Sequence, residues 1–126
     1  MDRIDGYVDF STLTPMVTLK LLSNEGEEVD VPSMVDTGYN GDIILPESKI
    51  NEMRLEYLGK SWGELADGDV SEMKLFKGRL KWFNADKEVL VGATRSDVAL
   101  LGTLLLADCE LNVNFKDNSV RIQRYT

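Results

Sequence analysis

The chain of 126 residues contains no histidine and a single cysteine, Cys109. Without imidazole, and with one thiol, it cannot assemble the zinc sites built from His and Cys, a Ser-His-Asp triad or a Cys-His nucleophile pair. Any catalysis must fall to carboxylates and hydroxyls. A lone cysteine also excludes an intramolecular disulfide, and Cys109 reads as a small buried hydrophobe. Positive charge is scarce: 14 Lys+Arg stand against 22 Asp+Glu, a net charge of −8. That balance opposes the counterion release that drives nucleic-acid binding and opposes adhesion to anionic membranes, so neither partner is expected. Long apolar runs are missing too. Nothing approaches the ~20 residues of a membrane span, and residues 1–11 lack the apolar core of a signal peptide, which leads us to expect a cytoplasmic protein.

What is present is a globular composition, 43% hydrophobic and 29% charged, without linker, repeat or low-complexity tract. A single domain over residues 1–126 is expected, long enough to bury roughly two thirds of its unfolded surface. Short β-rich runs alternate with turn signals. Met16–Leu22 (MVTLKLL), the turn Ser23–Glu28 and Val29–Val35 (VDVPSMV) read as a hairpin. The acidic residues at its tip, Glu25, Glu27, Glu28 and Asp30, read as a solvated edge. Asp42–Leu45 (DIIL) is a short strand stopped by Pro46. From Ser48 to Lys60 the apolar residues Ile50, Met53, Tyr57 and Leu58 fit one short amphipathic helix or a compact loop. Trp62–Phe83 reads as a long hairpin turning at Asp67-Gly68. Lys87–Val91 and Val98–Leu101 are expected as buried strands, Thr103 as the cap of a helical turn through Asp108, and Glu110–Phe115 and Val120–Tyr125 as the last strands. The class is all-β with one short helix.

The feature most suggestive of chemistry is Asp36-Thr37-Gly38, between an apolar strand and a second one. A catalytic carboxylate benefits from a rigid, exposed turn at a strand end. The Thr hydroxyl can lock such a turn by hydrogen bonding, and Gly lets substrate and backbone approach closely. The same stretch also admits a calcium reading, since Asp36, Asn40, Gly41, Ile43 and Glu47 fall at positions 1, 5, 6, 8 and 12 of an EF-hand loop. Position 3 fails, because Gly38 offers no side-chain oxygen, and VDVPSMV favours a strand where that motif needs a helix. Trp62, Phe76, Trp82 and Phe83 read as core or subunit interface. Thr94, Arg95, Ser96 and Asp97 form a polar loop with no group to activate a nucleophile.

Three elements in order resemble the retropepsin-like aspartic proteases, the family of the retroviral proteases and their cellular relatives. They are Met34-Val35-Asp36-Thr37-Gly38, the hairpin around Glu64-Leu65-Ala66-Asp67-Gly68, and Ala99-Leu100-Leu101-Gly102 with Leu104-Leu105 and Cys109–Phe115 behind it. The resemblance implies a small closed, barrel-like β-fold with a flap hairpin. It implies that Asp36 activates the attacking water, Thr37 braces two active-site loops against each other, and Gly38 lets the substrate backbone pass. Asn40 would bind substrate backbone, as would the flap residues Leu65, Ala66, Asp67 and Gly68. Leu100, Leu101 and Gly102 would form a buried loop beneath the site.

The chemistry needs two carboxylates sharing a proton, because like charges ~3 Å apart cannot both ionise. One Asp-Thr-Gly per chain therefore implies a C2 homodimer with exposed apolar strand surface near the termini, acting on a peptide or protein substrate without metal or cofactor. Two departures from the family pattern stand out. Tyr39 follows the triplet where Ala or Ser is usual, placing a phenol near the dyad. Asp67 and Asp69 make the flap acidic, which with the charge of −8 suggests an acidic optimum. The other reading of the same fold is a catalytically inactive module that captures an extended peptide.

Overall fold

Alternation of apolar and polar residues builds most of the secondary structure. The computed structural model describes residues 2–64 and 70–125. Its strands are β1 (Asp2–Asp9), β2 (Thr14–Leu22), β3 (Glu28–Val35) and β4 (Ile43–Pro46), then the helix α1 (Glu47–Met53), then β5 (Glu56–Glu64), β6 (Val70–Trp82), β7 (Ala85–Thr94), β8 (Ala99–Leu101), β9 (Cys109–Asn114) and β10 (Ser119–Arg124). In β2, Val17, Leu19 and Leu21 are buried while Thr18 and Lys20 face water. That period of two marks one face turned to a core.

The strands form one sheet in the order β5-β6-β7-β4-β8-β3-β2-β1-β10-β9, and β6 also pairs with β2. The second pairing closes six strands, β2-β3-β8-β4-β7-β6, into a ring. On its outer edge β2 is shared: Thr14–Met16 pair with β1 and Lys20–Leu22 with β6. Inside lie Val17, Leu19, Val31, Ile43, Leu45, Val91 and Leu101, all below 5% exposed, each contributing roughly 1.5–3 kcal/mol of burial. Two pairings are parallel, β3 with β8 and β4 with β7. They bring the end of β3, where Asp36 follows, beside Leu101. Among the described residues no helix is long and apolar enough to cross a membrane.

Several sequence expectations need correction. The helix spans only seven residues and buries Ile50 and Met53, spaced three apart. It stops at Arg54, which turns left-handed at φ 57°, so Tyr57 and Leu58 belong to β5 and are about half exposed (51% and 49%). Residues 103–108 form successive turns rather than a capped helix: Ala107 donates to the Leu104 carbonyl and Cys109 to that of Leu106. Thr103 does not cap them, because its N–H and hydroxyl both go to the Tyr39 carbonyl. Val98 and Leu90 are each 47% exposed, so the two runs expected to be buried are only partly so. Residues 2–9, read only for targeting signals, form a strand held by β10 along Asp2–Tyr7. Trp82 and Phe83 are core, with the Arg124 guanidinium 4.5 Å above the Phe83 ring, whereas Trp62 is exposed.

Candidate active site

Asp36 leaves β3 in a tight turn. Its N–H donates to the Leu101 carbonyl at 2.9 Å, its own carbonyl accepts the Tyr39 N–H at 3.2 Å, and its carboxylate Oδ1 accepts the Gly38 N–H at 2.9 Å. The side chain is half-buried, while Thr37, Gly38 and Asn40 are exposed. A second segment, Leu101–Leu104, lies against the turn and is stitched to it. The Asp42 carbonyl accepts the Gly102 N–H at 2.9 Å, the Tyr39 carbonyl the Thr103 N–H at 2.8 Å, and the Gly41 carbonyl the Leu104 N–H at 3.1 Å. With the Asp36–Leu101 bond this makes four backbone links, each stabilising by about 1 kcal/mol net. Leu101 and Gly102 are buried and Leu100 half-buried beneath them. The result is one half-buried carboxylate on a turn with little freedom to move.

No protein-family model matches the chain, and no curated protein matches it in sequence. Solved structures do. A retropepsin-like aspartic protease from Rickettsia conorii superposes with a TM-score of 0.61 at 18% identity, over 97% of this chain and 90% of that one. The EIAV protease in complex with the inhibitor HBY-793 superposes at 0.56 and 16% identity, over 75% and 86%. This is the retropepsin fold. A third match, the foamy viral protease-reverse transcriptase bound to an RNA/DNA hybrid, covers 72% of this chain and 11% of that much longer one, with a TM-score of 0.50 at 13% identity.

Within this retropepsin fold the strand register shows which side chains share the carboxylate's side of the sheet. Met34, two residues before Asp36, pairs with Leu100, Leu100 with Ile44, Ile44 with Gly92, and Gly92 with Leu75. Residues in register share a face. An apolar floor thus runs from β3 across to β6, half-buried at Met34, Leu100 and Leu75 and buried at Ile44 and Gly92. Met73, on the arm of the flap hairpin, lies on it as well, with its thioether over Gly92 in the space a Cβ would need. Apart from Met34 and Leu100, which the motif names, local sequence pattern does not single these residues out. The flap residues Leu65, Ala66, Asp67 and Gly68 lie outside the described residues. The EF-hand geometry is not formed: a strand precedes Asp36, and Ile43–Pro46 is a strand where that loop would still be running.

Tyr39 folds back into the clamp. Its ring packs over Gly41 and Gly102, neither of which has room for a side chain there. Burial raises the phenol's pKa above 10.0, and the negative charge of Asp42 adds to the shift. A raised native pKa means that the unfolded chain loses this proton first. The stability linked to it is therefore full below about pH 10 and declines as pH rises through the native value. Tyr39→Phe is expected to flatten that part of the alkaline arm in urea unfolding curves taken from pH 8 to 11. An unchanged slope would show that other groups carry it.

Proposed function

We propose that the chain is an aspartic endopeptidase whose active site forms between two copies. The observation that carries this is the Asp36 turn itself: a carboxylate at a strand end, pinned by four backbone links, at the head of an apolar floor, in a fold shared with aspartic proteases. The triplet Asp-Thr-Gly occurs once in the sequence, so the second carboxylate comes from a second subunit. Two features support pairing. Among the described residues the sheet ends at β9, which pairs with β10 alone and leaves its outer edge open to another strand. The Thr37 hydroxyl makes no hydrogen bond among the described residues and is exposed at the turn, free to brace its symmetry mate.

In that assembly one ionised Asp36 takes a proton from water, and the water oxygen attacks the peptide carbonyl carbon. The protonated partner gives its proton to the carbonyl oxygen. Collapse of the tetrahedral diol passes a proton to the amide nitrogen and breaks the C–N bond, which returns the pair to a single shared proton. Asn40 and the flap residues Leu65, Ala66, Asp67 and Gly68 are assigned to the substrate backbone. The single shared proton requires activity to fall towards alkaline pH.

The test is a diverse peptide library incubated with the protein from acidic to neutral pH, with new termini read by mass spectrometry. Cleavage with a rate rising faster than linearly in protein at low concentration is the expected result. A folded protein that binds peptides and cuts none would replace the enzyme with a peptide-capturing module of the same fold.

A further inference from the structure

The apolar floor of the cleft does not end at Ile44. On β7, Leu90 lies two residues before Gly92 and so shares its face. On β6, Lys77 pairs with Leu90, and on β5, Glu56 pairs with Lys77. There the floor opens into a cavity of about 570 Å³ lined by Asp42, Glu56, Leu58, Lys77, Glu88 and Leu90, with Val89 behind. Its wall is continuous with the active-site turn, because Asp42 is the residue whose carbonyl holds the Gly102 N–H.

The lining has an uneven charge. Three carboxylates face one ammonium, and that ammonium, Lys77, is already 3.2 Å from Glu88. Glu56 makes no ion pair among the described residues. Asp42 is only 8% exposed. Its Oδ2 accepts the Leu90 N–H at 3.1 Å, and no cation among the described residues pairs with it. A carboxylate that has a hydrogen bond but no cation can still gain a charge-assisted hydrogen bond from an ammonium or guanidinium arriving beside it. Leu58 and Leu90, 49% and 47% exposed, supply apolar walls of the kind that the alkyl stem of a long cationic side chain covers.

We propose that this cavity is a distal subsite of the cleft that takes a lysine or arginine side chain of the bound peptide. The inference rests on the cleft being the peptide site of the aspartic endopeptidase reading. It makes basic peptides the preferred substrates of an acidic protein, with Glu56, Glu88 and Asp42 setting specificity.

The experiment reads cleavage and binding in parallel. In the peptide library, Lys or Arg is expected to be enriched at one position away from the scissile bond. Matched peptides with lysine at that position should be cut with kcat/KM about tenfold above those with norleucine, and further above those with glutamate. In the variant Glu56→Gln/Glu88→Gln, two exposed positions whose change leaves the core intact, the ratio of lysine to norleucine should fall below about twofold, and high salt should lower it in the wild type. Cleavage without basic enrichment at any position, or a preference that survives in the double variant, overturns the subsite while leaving the protease standing. If nothing is cut, the endopeptidase reading fails separately. The same library captured on the Asp36→Asn protein then decides the subsite: enrichment of Lys and Arg that the two glutamine substitutions remove supports it, and no enrichment overturns it.

Discussion

Asp36→Asn is expected to abolish peptide cleavage, lowering kcat/KM at least about a thousandfold, equivalent to about 4 kcal/mol on the barrier. The substitution is nearly isosteric. The amide oxygen can still accept the Gly38 N–H now held at 2.9 Å, and none of the four backbone links to Leu101–Leu104 involves the side chain. Melting temperature and peptide binding should therefore stay close to wild type while turnover disappears. What is lost is the exchange of a proton between two carboxylates, since an amide can neither take a proton from water nor share one at neutral pH. Mixing makes the prediction sharper. If the site forms between two copies that exchange, an equal mixture of wild type and variant at fixed total protein should retain about a quarter of the wild-type rate, because only that fraction of dimers carries two aspartates. A chain acting alone would retain about half. Unchanged cleavage by the variant would remove Asp36 from the chemistry, and a half-rate mixture after co-refolding, which forces the copies to mix, would remove the dimer.

The reason Asp36 could be picked out in the sequence is that its context is local. A β-branched strand, a polar triplet with glycine and a second apolar strand are adjacent in the chain, and the Leu100-Leu101-Gly102 segment bears its own recognisable pattern. The hairpin of β2 and β3, and the last two strands, were legible for the same reason. Four features of the molecule were not. β1 breaks its alternation at Gly6, a position forced by close packing, since a Cβ there would run into the backbone of Met16. β5 is polar and glycine-rich (EYLGKSWGE), and it follows a helix whose end is marked only by Arg54 turning left-handed. The run TLLLAD has a helical composition, but its would-be cap Thr103 is spent on Tyr39, a contact 64 residues away in sequence. The shared face of Met34, Leu100, Ile44 and Met73 was hidden most completely. It depends on parallel pairings between distant segments, and a strand's own pattern of two sets which residues share its face but not which strand lies beside it. Asp42 illustrates the limit: by composition it is one acid among 22 Asp+Glu, and only the fold makes it a buried carboxylate without a cation.

Gly102→Ala is expected to destabilise the protein by about 3 kcal/mol, lowering the melting temperature by about 10 °C. The requirement at Gly102 is for space, since its backbone is outside the left-handed region occupied by Gly26 and Gly59. A methyl group there would stand 2.6 Å from Tyr39 Cδ2, 2.8 Å from the Tyr39 carbonyl oxygen, and closer still to that of Gly41. Those two carbonyls are acceptors in the clamp, taking the Thr103 and Leu104 N–H groups, so neither can swing aside without breaking a bond that fixes the Asp36 turn. Gly41→Ala is the informative contrast. The three atoms nearest its added methyl all belong to the Tyr39 side chain, which can be removed. Combining Gly41→Ala with Tyr39→Ala should therefore recover most of the melting temperature lost through the clash, after allowance for Tyr39→Ala alone, whereas the same second change should leave Gly102→Ala largely unrelieved. Thermal melts of the five variants measure both differences. A Gly102→Ala protein melting within about 2 °C of wild type would mean that the turn and the Leu101–Leu104 segment move apart at little cost. The rigidity that the proposed catalytic role of Asp36 requires would then have to come from outside this clamp, as from the second copy of the proposed dimer.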